Sequence, residues 1–190
     1  RHNAENAMAA VLACRHLGIP AETAAEVLKE FAPPGHRCET VRTLDGVLWL
    51  NDSKATNLHA LETALKSQHS PVILIAGGKD KGLDYVPLRP MLKEKVRACV
   101  VFGQIADQLQ HAFSPAVPTE KAADVEACVE KARSLARQGD TVLFSPGTSS
   151  FDMFTGYVQR GQAFRDAVNA LPSFPDNSPE NDHHENDQDT

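Results

Sequence analysis

The chain has 190 residues, of which 42% are hydrophobic and 23% charged, a balance that fits a globular protein and excludes fibrous or wholly disordered classes. Its net charge of −6 is local: six of the 25 acidic residues lie past Pro172, where no Lys or Arg occurs, which leaves 19 acidic against 19 basic residues in the body. A neutral body argues against nucleic acid as the main partner. No apolar run approaches the ~18 residues needed to cross a bilayer, and the first residues lack the order of a signal peptide, so a cytoplasmic protein without a membrane span is expected. The start at Arg1 rather than Met leads us to expect a piece of a longer chain.

Residues 3 to 17 read as a helix with Ala4, Met8, Val11 and Leu12 on one stripe and Gly18 as its stop. A second helix carries Ala24, Val27, Leu28 and Phe31, and Ala32-Pro33-Pro34-Gly35 then marks a hinge or boundary. Cys38 to Leu44 and Val47 to Leu50 are strand-like runs joined by Asp45-Gly46, a two-residue hairpin signal. Short apolar strands then alternate with amphipathic helices. The helix of Leu58, Leu61 and Leu65 leads to the strand Val72 to Ala76, a helix near Pro87 to Lys95 and the strand Ala98 to Phe102. Helices at Ile105 to Phe113 and around Val125, Cys128, Val129 and Ala132 precede the strand Thr141 to Phe144. A long helix bears Tyr157, Gly161, Phe164, Val168 and Leu171. This alternation predicts an α/β fold, a Rossmann-like, mostly parallel sheet with helices on both faces and ligands at the C-terminal ends of the strands. From Pro172 to the end, Asp, Asn, Ser, Pro and His dominate, so residues 172 to 190 are expected to be a disordered acidic tail.

The four cysteines are too scattered for a zinc site or a disulfide framework and are expected to be buried, reduced thiols. His183-His184 supplies too few fixed ligands for a metal, and no metal site is expected here.

Three strand ends carry chemistry-bearing residues. Asn51-Asp52-Ser53-Lys54-Ala55-Thr56-Asn57 joins a strand to a helix and suits an anion, although Asn57 is equally a helix cap. Gly77-Gly78-Lys79-Asp80-Lys81-Gly82 lets backbone approach a ligand and offers ammonium groups, the plain alternative being a glycine turn with solvated lysines. Ser145-Pro146-Gly147-Thr148-Ser149-Ser150 is a hydroxyl-rich turn entering the long helix, with Ser150 a possible cap. His36-Arg37 adds a guanidinium suited to phosphate. Neither a Walker A loop, a Gly-x-Gly-x-x-Gly motif nor a Gly-x-Ser-x-Gly elbow occurs, which excludes an autonomous P-loop ATPase and disfavours a serine hydrolase.

Taken in order, His2-Asn3-x-x-Asn6-x-x-Ala9-Ala10, Gly35-His36-Arg37, the Asn51 to Asn57 heptad, Gly77-Gly78-x-x-Lys81, Leu143-Phe144-Ser145-Pro146 with Ser150-Phe151-Asp152, and Arg160-Gly161-x-x-Phe164 resemble the Mur ligases. The resemblance runs from residue 1 to about 171, and the heptad points to the branch that adds D-glutamate. It implies a three-domain enzyme of which residues 33 to 171 are the C-terminal, Rossmann-like domain, a lid preceded by the closing helices of a central ATPase domain at residues 1 to 32. The N-terminal and central domains would act in cis.

The implied reaction phosphorylates the carboxylate of UDP-N-acetylmuramoyl-L-alanine with ATP. The amine of D-glutamate then attacks the acyl phosphate, in peptidoglycan synthesis. Carried over by position, Asn6, Arg37 and Asp52 are implied ATP contacts, and Thr56, Lys81, Ser150, Phe151 and Tyr157 the D-glutamate cradle. Lys54 is the implied catalytic cation near the acyl phosphate. Mg2+ is expected to be held mainly by the central domain. Gly147-Thr148-Ser149-Ser150 departs from the family's more usual Ala-Cys-Ala-Ser, and Tyr157 stands where Phe is usual. The competing reading is a free-standing Rossmann-like module that holds a nucleotide or amino acid without catalysis; a sister ligase for another amino acid is a third.

Overall fold

The structure is a computed structural model that describes residues 2–31 and 34–173. The predicted tail falls almost wholly outside the described residues, as do Ala32 and Pro33 of the hinge. Two compact units emerge, Arg1–Gly35 and His36–Thr190. The first consists of α1 (His2–His16) and α2 (Ala21–Glu30), joined through Gly18, which takes a positive φ of 80°. Ala24 is buried there, whereas Met8, Leu12, Val27 and Phe31 are exposed.

The second unit is a six-stranded sheet of β1 (Glu39–Leu44), β2 (Val47–Asn51), β3 (Val72–Gly77), β4 (Val96–Phe102), β5 (Thr119–Lys121) and β6 (Thr141–Phe144). The spatial order is β1-β2-β6-β3-β4-β5. All neighbours are parallel except the β1–β2 hairpin. Asp45 (φ 52°) and Gly46 (φ 74°) both adopt the left-handed conformation that a tight two-residue hairpin demands.

Every residue of β3 is buried, as a strand covered on both faces must be. Val72, Leu74 and Ala76 point to one layer with Leu61 and Leu65 of α3 (Leu58–Lys66), Leu92 of α4 (Arg89–Lys95) and Leu109 and Phe113 of α5 (Ala106–Phe113). Ile73 and Ile75 point to the other, with Cys128 and Val129 of α6 (Val125–Leu135) and Phe164 and Val168 of α7 (Tyr157–Ala170). Phe144 stacks on Phe164 with ring centroids 4.4 Å apart and planes within 4°, which fixes α7 over the end of β6.

The structure departs from the sequence reading at three points. Thr119-Glu120-Lys121 pairs along β4 as the edge strand β5, which a polar three-residue segment does not announce. Ser150 does not cap the long helix: residues 151–156 intervene and α7 starts after Gly156. Of the four cysteines, Cys99 and Cys128 are buried, but Cys38 is exposed and Cys14 partly so.

Candidate functional site at the ends of β2, β3 and β6

The chain leaves β3 toward β4 and β5 on one side and returns to β6 on the other side of β3. Connections that diverge from neighbouring parallel strands open a crevice at their C-terminal ends, and the three polar loops read from the sequence meet there.

Gly77 (φ 148°) and Gly78 (φ 136°) end β3. A Cβ on Gly77 would stand 2.0 Å from the carbonyl oxygen of Phe102, and one on Gly78 would stand 2.3 Å from that of Ser149. The close approach that these glycines permit is therefore to the protein's own backbone, not to a ligand as their pattern alone suggested. The loop is stitched to the β6 turn. The amide of Gly77 donates to Pro146 O (3.1 Å) and that of Lys79 to Ser149 O (2.8 Å), while Thr148 Oγ1 donates to Lys79 O (2.6 Å).

Lys81 is exposed on this loop, and its Nζ donates to the backbone carbonyl of Thr56, 3.2 Å away at the end of the heptad. Ser150 is 1% exposed, and its carbonyl accepts from the amides of Met153 (3.3 Å) and Phe154 (2.9 Å). Phe151 is 64% exposed and lines a cleft of about 610 Å³ with Lys79, Gly103, Gln104, Asp152 and Met153. That cleft lies beside the predicted cradle, since Lys81, Thr56, Ser150 and Tyr157 do not line it.

Within the heptad, Asn57 caps α3, its side chain accepting from Ala60 N at 2.9 Å, so the plain reading accounts for that residue. Lys54 Nζ sits 3.9 Å from the centre of the Tyr157 ring, a cation–π contact that aligns two predicted site residues from different elements. Asp52 is buried, accepting from Ser145 Oγ (2.8 Å) and from the amide of Cys38 (3.2 Å). Burial pushes its pKa up to about 6, against the opposing pull of these hydrogen bonds and of the nearby Arg37 charge. Protein atoms packed around the sulfur and the same carboxylate push the Cys38 thiol up to about 12, which makes it a poor nucleophile although the residue as a whole keeps exposed surface. Arg37 itself is exposed, and Asn6 lies exposed on α1 in the first unit.

Two residues that sequence reasoning gave no role organise the crevice. Arg160 on α7 is 0% exposed. It donates from Nε to Ser53 Oγ (3.1 Å), from Nη2 to Ser53 O (2.9 Å), and from both Nη atoms to Thr148 O (3.1 Å each). Burial lowers its pKa to about 10, so it remains a cation at neutral pH, satisfied by carbonyl dipoles. His36 is also buried, in the left-handed region at φ 62°, with Nδ1 2.9 Å from Asn51 Nδ2 and its carbonyl accepting from Lys54 N at 3.0 Å. Asn51 Nδ2 donates in turn to Gly161 O (3.0 Å). The available signal was the apolar stripe of the last helix: an Arg beside Gly161 on its buried face needs partners inside the protein.

Residues 36–148 match the family model described as Mur ligase, glutamate ligase domain. A UDP-N-acetylmuramoylalanine--D-glutamate ligase from Chlorobium phaeobacteroides (strain BS1) is 47% identical over 173 residues, which is 91% of this chain and 37% of that protein. The chain thus spans little more than a third of the length of that relative. Among solved structures, a pseudomurein peptide ligase type C from Methanothermus fervidus superimposes with a TM-score of 0.63 at 18% identity, covering 88% of this chain and 35% of that one. The MurF ligase from Thermotoga maritima in complex with ADP gives 0.55 at 17% identity, covering 84% and 36%. At these identities the two structures speak for the fold. With its sheet, its strand-end crevice and the matched segment 36–148 in agreement, the chain belongs to the Mur ligase family.

Proposed function

We propose that this chain is the substrate-binding, closing part of an ATP-dependent ligase that joins D-glutamate to UDP-N-acetylmuramoyl-L-alanine. The observation that carries this reading is the meeting of Lys81 and Thr56, held 3.2 Å apart from the ends of two different strands, in a chain 47% identical to a D-glutamate ligase. A dicarboxylate needs a cation and neutral donors together; the Lys81 ammonium and the Thr56 hydroxyl would supply both, joined by the Ser150 hydroxyl, now buried, once the substrate is bound. Tyr157 and Phe151 would form the wall of the cradle, and Lys54, seated on the Tyr157 ring, would face the acyl phosphate as the catalytic cation.

In the proposed reaction the D-glutamate amine attacks the acyl carbon, the bond from that carbon to the phosphate oxygen breaks, and the amine gives up a proton as phosphate leaves. ATP supplies the phosphoryl group. In the sheet unit Arg37 is a guanidinium available to its phosphates, with Asp52 beside it; Asn6, on α1 of the first unit, is proposed by itself as an ATP contact. The described residues do not fit a Mg2+ site: they contain no group of three or more His, Cys, Asp or Glu able to hold a metal, and both oxygens of Asp52 are already engaged. No step is therefore drawn through a metal on this chain. Residues 1–32 would close a central ATPase domain, and the segment around Pro34-Gly35 would act as the hinge of the lid.

The test is Lys81→Ala in the ligase that contains this chain. Lys81 is exposed in this chain, and where closure over bound D-glutamate desolvates the pair, loss of one partner costs about 2–5 kcal/mol, so KM for D-glutamate should rise well over tenfold while KM for ATP moves far less. A defect confined to ATP would move Lys81 to the phosphate site, and no defect would return the Gly77 to Gly82 loop to a plain turn.

A further inference from the structure

Thr148 occupies the centre of the contact between the β6 turn and the lysine loop. It is 0% exposed, and its Oγ1 donates to Lys79 O at 2.6 Å, the shortest of the three hydrogen bonds that tie the two segments. Its own carbonyl is clamped by Arg160, which fixes the turn from behind.

Lys79 O is two residues from Lys81, whose Nζ is itself seated on Thr56 O. The loop between them has few other anchors: Asp80 N donates to Gln104 Oε1 at 3.1 Å and Gly82 N to Asp80 Oδ1 at 2.8 Å, both exposed. We infer that the Thr148 hydroxyl is a positioning group for the substrate cation: through Lys79 O it sets where Lys81 stands. The inference rests on the proposed role of Lys81 toward D-glutamate. It adds that in this chain the hydroxyl of Thr148 does this positioning, at a place where the family more usually carries a cysteine.

The experiment uses Thr148→Val, which keeps the shape and removes the hydroxyl, Thr148→Ser, which keeps the hydroxyl, and Lys81→Ala, each in the ligase that contains this chain. The part-buried Lys79 carbonyl left without its donor predicts a rise of about tenfold in KM for D-glutamate for the Val variant, with kcat and KM for ATP within about twofold. Ser should restore KM to within about threefold of the parent. The Val variant should also speed hydrogen exchange at the amides of Lys79, Asp80 and Gly82 while leaving β3 protected, a readout that needs no substrate. If Val fails to fold, Thr148→Ala removes the hydroxyl with less bulk and answers the same questions. Normal D-glutamate KM in the Val variant alongside a defective Lys81→Ala would overturn the positioning role. So would a Ser variant as impaired as Val, or equal losses for ATP and D-glutamate. If Lys81→Ala is itself normal, it is the D-glutamate reading that fails; unchanged exchange at residues 79–82 then refutes the Thr148 contact as well.

Discussion

A carboxylate that accepts two hydrogen bonds beside a guanidinium is ordinarily a stronger acid, yet burial wins at Asp52 and raises its pKa from 3.8 to about 6. A folded-state pKa above the unfolded value makes the neutral acid the favoured form in the fold. The associated stability is therefore fully present below pH 3.8 and is lost as pH rises through about 6. At about 1.4 kcal/mol per unit the loss is at most about 3 kcal/mol. Asn at this position can accept from Cys38 N through its oxygen and donate to Ser145 through its amide, so Asp52→Asn preserves the geometry without the charge. We expect the variant to gain stability on the parent progressively between pH 4 and 7, by about 1–3 kcal/mol at the upper end, as read from urea midpoints across that range. A constant difference between the two proteins at every pH would show that Asp52 does not titrate in this interval. The ionisation that costs stability is also what would place a negative charge beside Arg37, so the same variant should weaken ATP use if Asp52 serves that site.

Helix α7 shows how one element ties the site to the segment His36 to Glu39 that leads into β1. Gly161 has no Cβ, and one added there would lie 2.3 Å from His36 Nδ1, in a space the ring already fills. His36 cannot easily retreat: Asn51 holds its ring, its amide donates to Glu39 Oε2 at 2.8 Å, and Arg165 on the same helix holds Glu39 at 2.6 Å. Helix propensity alone favours Ala over Gly by about 1 kcal/mol at such a position. We expect packing to outweigh it, with Gly161→Ala costing roughly 1–3 kcal/mol net, and Tyr157 and Lys54 displaced with the helix. Thermal denaturation measures the sign, and a variant more stable than its parent would mean that the His36 ring moves freely.

What was legible in the sequence follows the same physics. Strands such as Val72 to Ala76 and the Asp45-Gly46 hairpin declare themselves because their determinants are local in the chain, a continuous apolar run and a turn with two positive φ angles. The heptad and the Gly77-Gly78-x-x-Lys81 loop are likewise local, and the structure brings Lys81 against Thr56. Arg160, His36 and Thr148 were not legible as a group, because their roles depend on partners 12 to 107 residues away in the chain, as with Arg160 to Thr148 and Ser53. The edge strand β5 escaped for a simpler reason: three polar residues have no period, and pairing to β4 alone makes them a strand.

At the scale of the whole molecule the two units differ in how they are held. The sheet unit closes an apolar layer over each face, with stacked Phe144 and Phe164 in one and Leu61, Leu65 and Phe113 in the other. In the first unit Ala24 is the buried apolar residue among those described, while Met8 (59%), Leu12 (65%), Val27 (65%) and Phe31 (58%) stay exposed. Helices of 15 and 10 residues draw little stability from propensity, since isolated helices under about 15 residues are marginal in water. We therefore expect the amides of α1 and α2 to exchange within seconds to minutes in this chain by itself, while those of β3, β4 and β6 exchange only through global unfolding. The sequence also lacks a Walker A loop, so the same preparation should release no phosphate from ATP and form no amide. If the proposed function holds, joining the chain to the further domains it implies should both confer turnover and slow exchange on α1 and α2, those exposed side chains finding their cover in a neighbouring domain. Equal protection of helices and sheet in the chain alone would instead mean that the first unit is complete without such a partner, and the boundary near Gly35 would have to be redrawn.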